Sequence, residues 1–314
     1  MNVPQWLWAV TLIGLVAVIV IDLVIVDRRP HAFRTREASV WVIVYIALAA
    51  AFAIFLWVWF SASWSVAFVT AYLTEYSLSV DNLFVFMLIM GSFAVPDIYQ
   101  HRVLLIGVVI ALILRGLLII VGAELINRFT WVFFIFAAFL LFTAVQVWTG
   151  HEKEPNPEGN ILVRTIARRF PTTAHYDGTR FITRLDGRWA LTPMALVMVA
   201  IGTTDLIFAV DSIPAVFGIT QEAYLVFAAN AFALMGLRQL YFLLKGTLGR
   251  LRYLSKGLAI ILAFIGVKLI LEALHSVFEL PVPLIPSWLS LLFIVLVLLA
   301  VVLASSRRVE EAGP

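Results

Sequence analysis

The chain has no cysteine among 314 residues and only 13% charged residues, about half the share of a soluble domain. The missing thiols exclude disulfides, thiolate metal sites, iron–sulfur clusters and cysteine nucleophiles. The five histidines, His31, His101, His151, His175 and His275, fall in expected loops or span ends, so imidazole is not expected among buried acids. What is abundant is apolar surface: 63% of residues are hydrophobic and the mean hydropathy is +1.02. Several segments of about 20 apolar residues, the length that crosses a bilayer as a helix, are needed to give that value. The net charge of +3 does not point to nucleic acid, because the bases sit in loops.

Apolar runs bounded by charge, Pro or Gly predict an all-α, polytopic transmembrane bundle of about nine spans, near 5–26, 38–60, 64–90, 103–122, 131–149, 191–218, 222–244, 257–277 and 287–305. Numbering the flanks alternately places one Lys or Arg, Arg128, on one side and 18 on the other. Cytoplasmic loops hold the excess, so the N-terminus is expected outside and the C-terminus in the cytoplasm of a cell membrane. Basic residues follow the first span instead of preceding it, and a cleaved signal peptide is not expected. The connection 151–190 is read as a basic cytoplasmic loop with a small hairpin, Phe181–Arg184 and Arg188–Leu191 flanking Asp186-Gly187. Its arginines suit anionic headgroups.

An internal repeat organises the rest. Thr74-Glu75-x4-Val80-Asp81 in the third span is matched by Thr204-Asp205-x4-Val210-Asp211 in the sixth. Gly107 lies eight residues before Arg115, and Asn230 eight before Arg238; Gln146 follows 31 after the first arginine, and Lys268 follows 30 after the second. Residues 63–150 and 191–278 are therefore read as two three-span copies, with 1–62 (two peripheral spans) and 279–314 (the last span and tail) outside them. An odd span number turns the second copy upside down, the construction of many secondary transporters.

Each buried acid costs about 2.5–3.5 kcal/mol on insertion scales, so Glu75, Asp81, Asp205 and Asp211 together cost roughly 10–14 kcal/mol. An offset of six residues is about 240° and about 9 Å on a straight helix, which separates the acids of each pair. Ser77, Ser79, Gly202 and Pro214 suggest that these helices are interrupted at the midplane, freeing carbonyls to join the carboxylates. Asn82, Ser212 and Asn230 offer further oxygen. An all-oxygen site suits magnesium, calcium or manganese. Arg115, Arg238 and Lys268 are the expected charge partners in the core, pairing with the acids when the site is empty. Asp22, near the end of the first span, is read as pairing with Arg28 or reaching the interface.

At these positions the sequence resembles the TerC/Alx family of integral membrane proteins. The resemblance rests on Glu75-x3-Ser79-Val80-Asp81-Asn82, on Asp205-x2-Phe208-Ala209-Val210-Asp211-Ser212-Ile213-Pro214-Ala215, on Asn230 with Gly236-Leu237-Arg238, and on Gly266-x-Lys268. It implies manganese handling, in export or in supply to exported proteins, with an older link to tellurium resistance. The four acids would then be metal ligands or proton carriers. Many members have Glu three residues before the position of Asp205; here it is Gly202, one carboxylate fewer.

Three classes of function follow as expectations. The first is a divalent-cation transporter, exporting manganese in exchange for protons, with the metal as substrate and no permanently bound cofactor. The second, an accessory protein with structural acids, would have partners in secretion or envelope stress. An intramembrane enzyme is not expected, since no G-x-G-D or G-x-S-G occurs and the one Tyr-Asp pair, Tyr176-Asp177, is in the loop. The apolar faces of the first, second and last spans are open to lipid or to a second protomer.

Overall fold

The computed structural model describes residues 3–27, 35–149, 161–173, 175–185, 188–244 and 253–311, with the side chains of 19, 22–27, 35–36, 81, 211 and 306–311 outside that description. Asp22 and the Asp186-Gly187 turn therefore lie outside the described residues. Nine long apolar helices follow one another: α1 (Gln5–Asp27), α2 (Thr35–Trp59), α3 (Ala62–Ser92), α4 (Asp97–Arg128), α5 (Val132–Thr149), then, after the short α6 (Ile161–Arg169) and the hairpin β1 (Ile182–Leu185) and β2 (Arg188–Leu191), α7 (Pro193–Phe217), α8 (Ala223–Leu244), α9 (Leu254–Phe278) and α10 (Ser287–Glu311). Among the described residues, eight of these are long and apolar enough to cross a membrane, and α1 adds an apolar stretch over Gln5–Val18. The chain is an all-α polytopic membrane protein, and its residues satisfy their backbone groups within helices as a bilayer demands.

The expected interruption of the third and sixth spans is not found. Both α3, with 31 residues, and α7, with 25, run through without a break. Ser77, read as a helix breaker, turns back onto its own helix instead and donates to the Leu73 carbonyl (2.6 Å), as Thr70 does to Val66 (2.6 Å) and Thr74 to Thr70 (2.9 Å). Such bonds satisfy a hydroxyl in apolar surroundings without opening the ladder. Pro214 is carried inside α7, where it removes only one donor.

Local signals set the helix ends. The Ser61 side chain accepts from the Trp64 amide (3.4 Å) at the start of α3, and Ala94 takes a left-handed conformation (φ 48°) in the turn to α4. Pro193 stands at the first turn of α7 after Thr192, a position where its missing N–H costs nothing. The Thr192 hydroxyl donates to the Arg180 carbonyl (2.6 Å), which ties the hairpin to α7. The hairpin pairs Ile182 with Leu191 through Leu185 with Arg188, antiparallel, so that the second arm is the one read from the sequence and the first lies one residue beyond it. Tyr176 donates to the Phe93 carbonyl at the end of α3 (2.8 Å), and burial raises its hydroxyl pKa to about 12, so it stays a donor through neutral pH. The end of α3 and the start of α7 thus meet the same loop, and the two helices run in opposite directions.

Packing between the two groups of three helices exceeds packing within them. α3 packs on α8, α4 on α7 and α8, and α5 on α9. Exchanging α3, α4, α5 for α7, α8, α9 turns the α3–α8 pair into the α4–α7 pair and leaves the α4–α8 and α5–α9 pairs as they are. The central helix is α8, 89% of whose apolar stretch is buried, against 28% for α2 and 17% for α10. α1 is pinned to it by a hydroxyl bond from Thr11 to Tyr224 (2.6 Å). Along the α5–α9 seam small residues permit close approach: a Cβ on Gly266 would lie 3.0 Å from Leu141 Cγ and 3.4 Å from the Ala137 carbonyl oxygen. In lipid, where apolar side chains gain nothing by leaving solvent, that close fit is what holds helices together.

Candidate functional site

Glu75 and Asp205 occupy the middle of α3 and α7, which cross at the centre of the bundle. α4 packs on α7 and brings the Arg115 side chain between the two acids. Its guanidinium grips Asp205 as a fork, Nε to Oδ2 at 3.3 Å and Nη2 to Oδ1 at 3.1 Å. Its Nη1 donates to Glu75 Oε1 and to Ser212 Oγ, the latter at 3.3 Å. From α8, Asn230 Nδ2 donates to Glu75 Oε1 at 2.9 Å. These five residues are all at most 1% exposed. The sequence separations are 40, 90, 97 and 155 residues, so only the tertiary fold creates the cluster.

Two carboxylates face one guanidinium, which leaves the cluster one negative charge in excess. Its hydrogen bonding is also incomplete: among the described residues, Glu75 Oε2, Asn230 Oδ1 and Ser79 Oγ are buried without a partner. An unmet buried polar atom costs about 1–3 kcal/mol, more for a charged group. All three are oxygens, the donor type that divalent magnesium, calcium or manganese accepts. Among the described residues no three His, Asp or Glu come together to hold a metal; the oxygen set is two carboxylates with neutral amide and hydroxyl groups.

The other expected site residues are distributed around this centre. The side chains of Asp81 and Asp211 lie outside the described residues; their backbones continue α3 and α7 in opposite directions from Glu75 and Asp205, each by six residues or about 9 Å. Asn82 is buried at 8% exposure on α3. Arg238 is 2% exposed but lies nearer the hairpin face, where its Nη1 is 3.4 Å from His101 Nε2. In the amide orientation that satisfies both its ends, Gln239 accepts from Arg238 Nη2 at 2.6 Å. Lys268 is placed elsewhere too. Its Nζ is 3.5 Å from the Ile219 carbonyl, beside a cavity of about 330 Å³ lined with Gln221, Glu222 and Glu272 near the face opposite the hairpin. Of the three expected charge partners, Arg115 is the one that reaches Glu75 and Asp205. Ser79, read from the sequence only as a helix breaker, is an addition to the site; its one-turn spacing from Glu75 was the available signal.

The integral membrane protein TerC family matches residues 60–312, a span that includes every residue of this cluster. The chain belongs to the TerC family. A membrane protein of Mycobacterium tuberculosis, Rv2723, is 43% identical over 280 residues, covering 88% of this chain and 70% of the relative. STKORF319 of Myxococcus xanthus, also a membrane protein, is 38% identical over 263 residues, with 84% and 82% covered. The Escherichia coli K12 protein named "Putative membrane-bound redox modulator Alx" is 38% identical over 281 residues, with 86% and 87% covered. No solved structure matches the chain.

Proposed function

We propose that this TerC-family chain is a divalent-cation transporter of the cell membrane, with manganese(II) as cargo, export as direction and proton exchange at the same carboxylates. One observation carries the reading: buried acids from two oppositely directed helices meet at mid-helix round a single guanidinium, with buried oxygens left over. A structural ion cluster would be expected to satisfy its own hydrogen bonds. With both helices unbroken, Asp81 and Asp211 extend the acids along the bilayer normal, one toward each face. That spacing suits stepwise passage of a cation. The face carrying the basic loop is the cytoplasmic one on the charge asymmetry of 18 to one. A hydrolytic dyad has no support, because Glu75 and Asp205 are joined through Arg115 instead of sharing a proton. A redox role such as the E. coli relative's name describes would here have to operate without a thiol.

The test uses purified protein in liposomes, with manganese flux followed by an entrapped indicator. Wild type is expected to carry flux, and Glu75→Gln and Asp205→Asn are each expected to abolish it while keeping equal membrane abundance. Flux unchanged in both variants sinks the reading. Absence of flux in the wild type favours the accessory role, with partners in the secretion or envelope machinery.

Gly202 offers a gain-of-function test of the same site. It lies one turn from Asp205, about 4.5 Å along the axis, and a Cβ there would meet only Ile110 Cγ2 at an ordinary 3.5 Å. Gly202→Glu is therefore expected to fold and to add a carboxylate on the hairpin side of Asp205. Manganese binding, measured by titration in detergent, should tighten about tenfold, equivalent to about 1.4 kcal/mol. Unchanged affinity would place the metal away from Asp205.

A further inference from the structure

The two arginines that hold equivalent places in the repeat, Arg115 and Arg238, have different surroundings in the structure. Each stands eight residues after its counterpart, Gly107 or Asn230, on the second helix of its half. Arg115 occupies the acid pair and reaches Ser212, nearly two turns beyond Asp205 toward the face opposite the hairpin. Arg238 is drawn toward the hairpin face, against His101 on the second turn of α4. One of the unpartnered oxygens is on that same side: Ser79 is one turn from Glu75 in the hairpin direction. The counterpart of Ser212 in the first half is Asn82, next to Asp81 as Ser212 is next to Asp211.

Inverted halves have a simple consequence. If the halves exchange conformations, as they do in alternating access around a fixed site, every contact of one arginine passes to the other. We propose that Arg115 and Arg238 alternate as the counter-ion of the Glu75–Asp205 pair, each sealing the site from one face of the membrane. In the present state Arg115 seals the pair from the face opposite the hairpin, and the site is presented toward the hairpin face. In the exchanged state Arg238 joins Glu75 and Asp205, with Asn82 taking the place of Ser212, and Arg115 withdraws. One guanidinium at a time occupies the pair, since a second would cancel the single negative charge that the two carboxylates hold in excess and leave nothing for a cation to balance. The inference rests on the transport reading and names the groups that would gate it.

A chain without cysteine makes this testable by thiol labelling, free of background. Single cysteines at Ser212 and at Asn82 are labelled with a charged maleimide in oriented vesicles without added metal, in wild-type, Arg115→Gln and Arg238→Gln backgrounds. Arg115→Gln is expected to raise labelling of Ser212→Cys and lower that of Asn82→Cys, each by about tenfold, the change that accompanies a shift of about 1.4 kcal/mol between two states. Arg238→Gln is expected to do the reverse, and Arg115→Lys and Arg238→Lys to move both rates back toward wild type. Both Gln variants moving the two rates in the same direction, or neither moving them, overturns the alternation. Misfolding would raise labelling at both positions together and so also counts against it in that background, while the Lys variants keep the alternation exposed to refutation. Manganese flux is measured on the same vesicles. Reciprocal labelling without flux removes the transport reading and keeps the exchange; flux with non-reciprocal labelling does the opposite.

Discussion

The double variant Glu75→Gln, Asp205→Asn is expected to melt far below the wild type, by the equivalent of about 3–5 kcal/mol, because it leaves a buried guanidinium without a counter-charge. Arg115 is 1% exposed, and its two acid partners are Glu75 and Asp205. Each single neutralisation leaves one carboxylate, so charge balance is kept and folding survives. The double variant removes both, and the cation has no route to water. Adding Arg115→Met to the double variant is expected to restore the melting point, since replacing a whole buried ion cluster by apolar side chains is often neutral or stabilising. It should not restore manganese flux. Thermal unfolding in detergent, followed by tryptophan fluorescence, measures all three proteins. A double variant that melts like the wild type would mean that Arg115 does not depend on these acids.

A second large effect is expected at the seam between α5 and α9. Gly266→Leu places a Cβ 3.0 Å from Leu141 Cγ and 3.4 Å from the Ala137 carbonyl oxygen, and then adds three more carbons to the same narrow gap. Overpacking costs about 1–3 kcal/mol, occasionally more, and the upper part of that range applies where one neighbour is backbone. Loss of most folded protein from detergent extracts is the expected outcome. Gly266→Ala combined with Leu141→Ala should recover it, because the leucine is the part of the contact that can be withdrawn. If Gly266→Leu accumulates and melts as the wild type does, the seam is looser than its geometry requires.

Much of this was legible in the sequence, for definite physical reasons. Long apolar runs marked the helices, because a bilayer leaves a chain few other choices. The hairpin was visible in Asp186-Gly187 between two short arms, the second read as Arg188–Leu191 and the first as Phe181–Arg184, one residue ahead of the observed Ile182–Leu185. The acids stood out through their insertion cost, and Arg115 through its place beside them in the repeat. The continuity of α3 and α7 was not legible, because a serine such as Ser77 looks the same in sequence whether it breaks a helix or bonds back onto it. Nor was the difference between Arg115 and Arg238: equivalent positions announce equivalent chemistry, and only the packed structure records which arginine holds the acids. Lys268 looked like a third core base; its neighbour Glu272, one turn on along the same helix, was open to reading, but the approach of Gln221 from outside that helix was not.

The packing of each group of three helices on the other also bears on how the protein is made. While α3, α4 and α5 are in the membrane and α7 is still to be synthesised, Glu75 has Arg115 for company but neither Asp205 nor Asn230, and α5 lacks the partner that fills its small-residue face. The nascent first half is therefore a set of helices waiting in lipid, without a core of its own. The long basic connection between the halves gives α7, α8 and α9 the slack to enter among helices already inserted. Biogenesis of this chain is then a late, concerted closure, and whatever guards unfinished membrane proteins must guard it until its last third has left the ribosome.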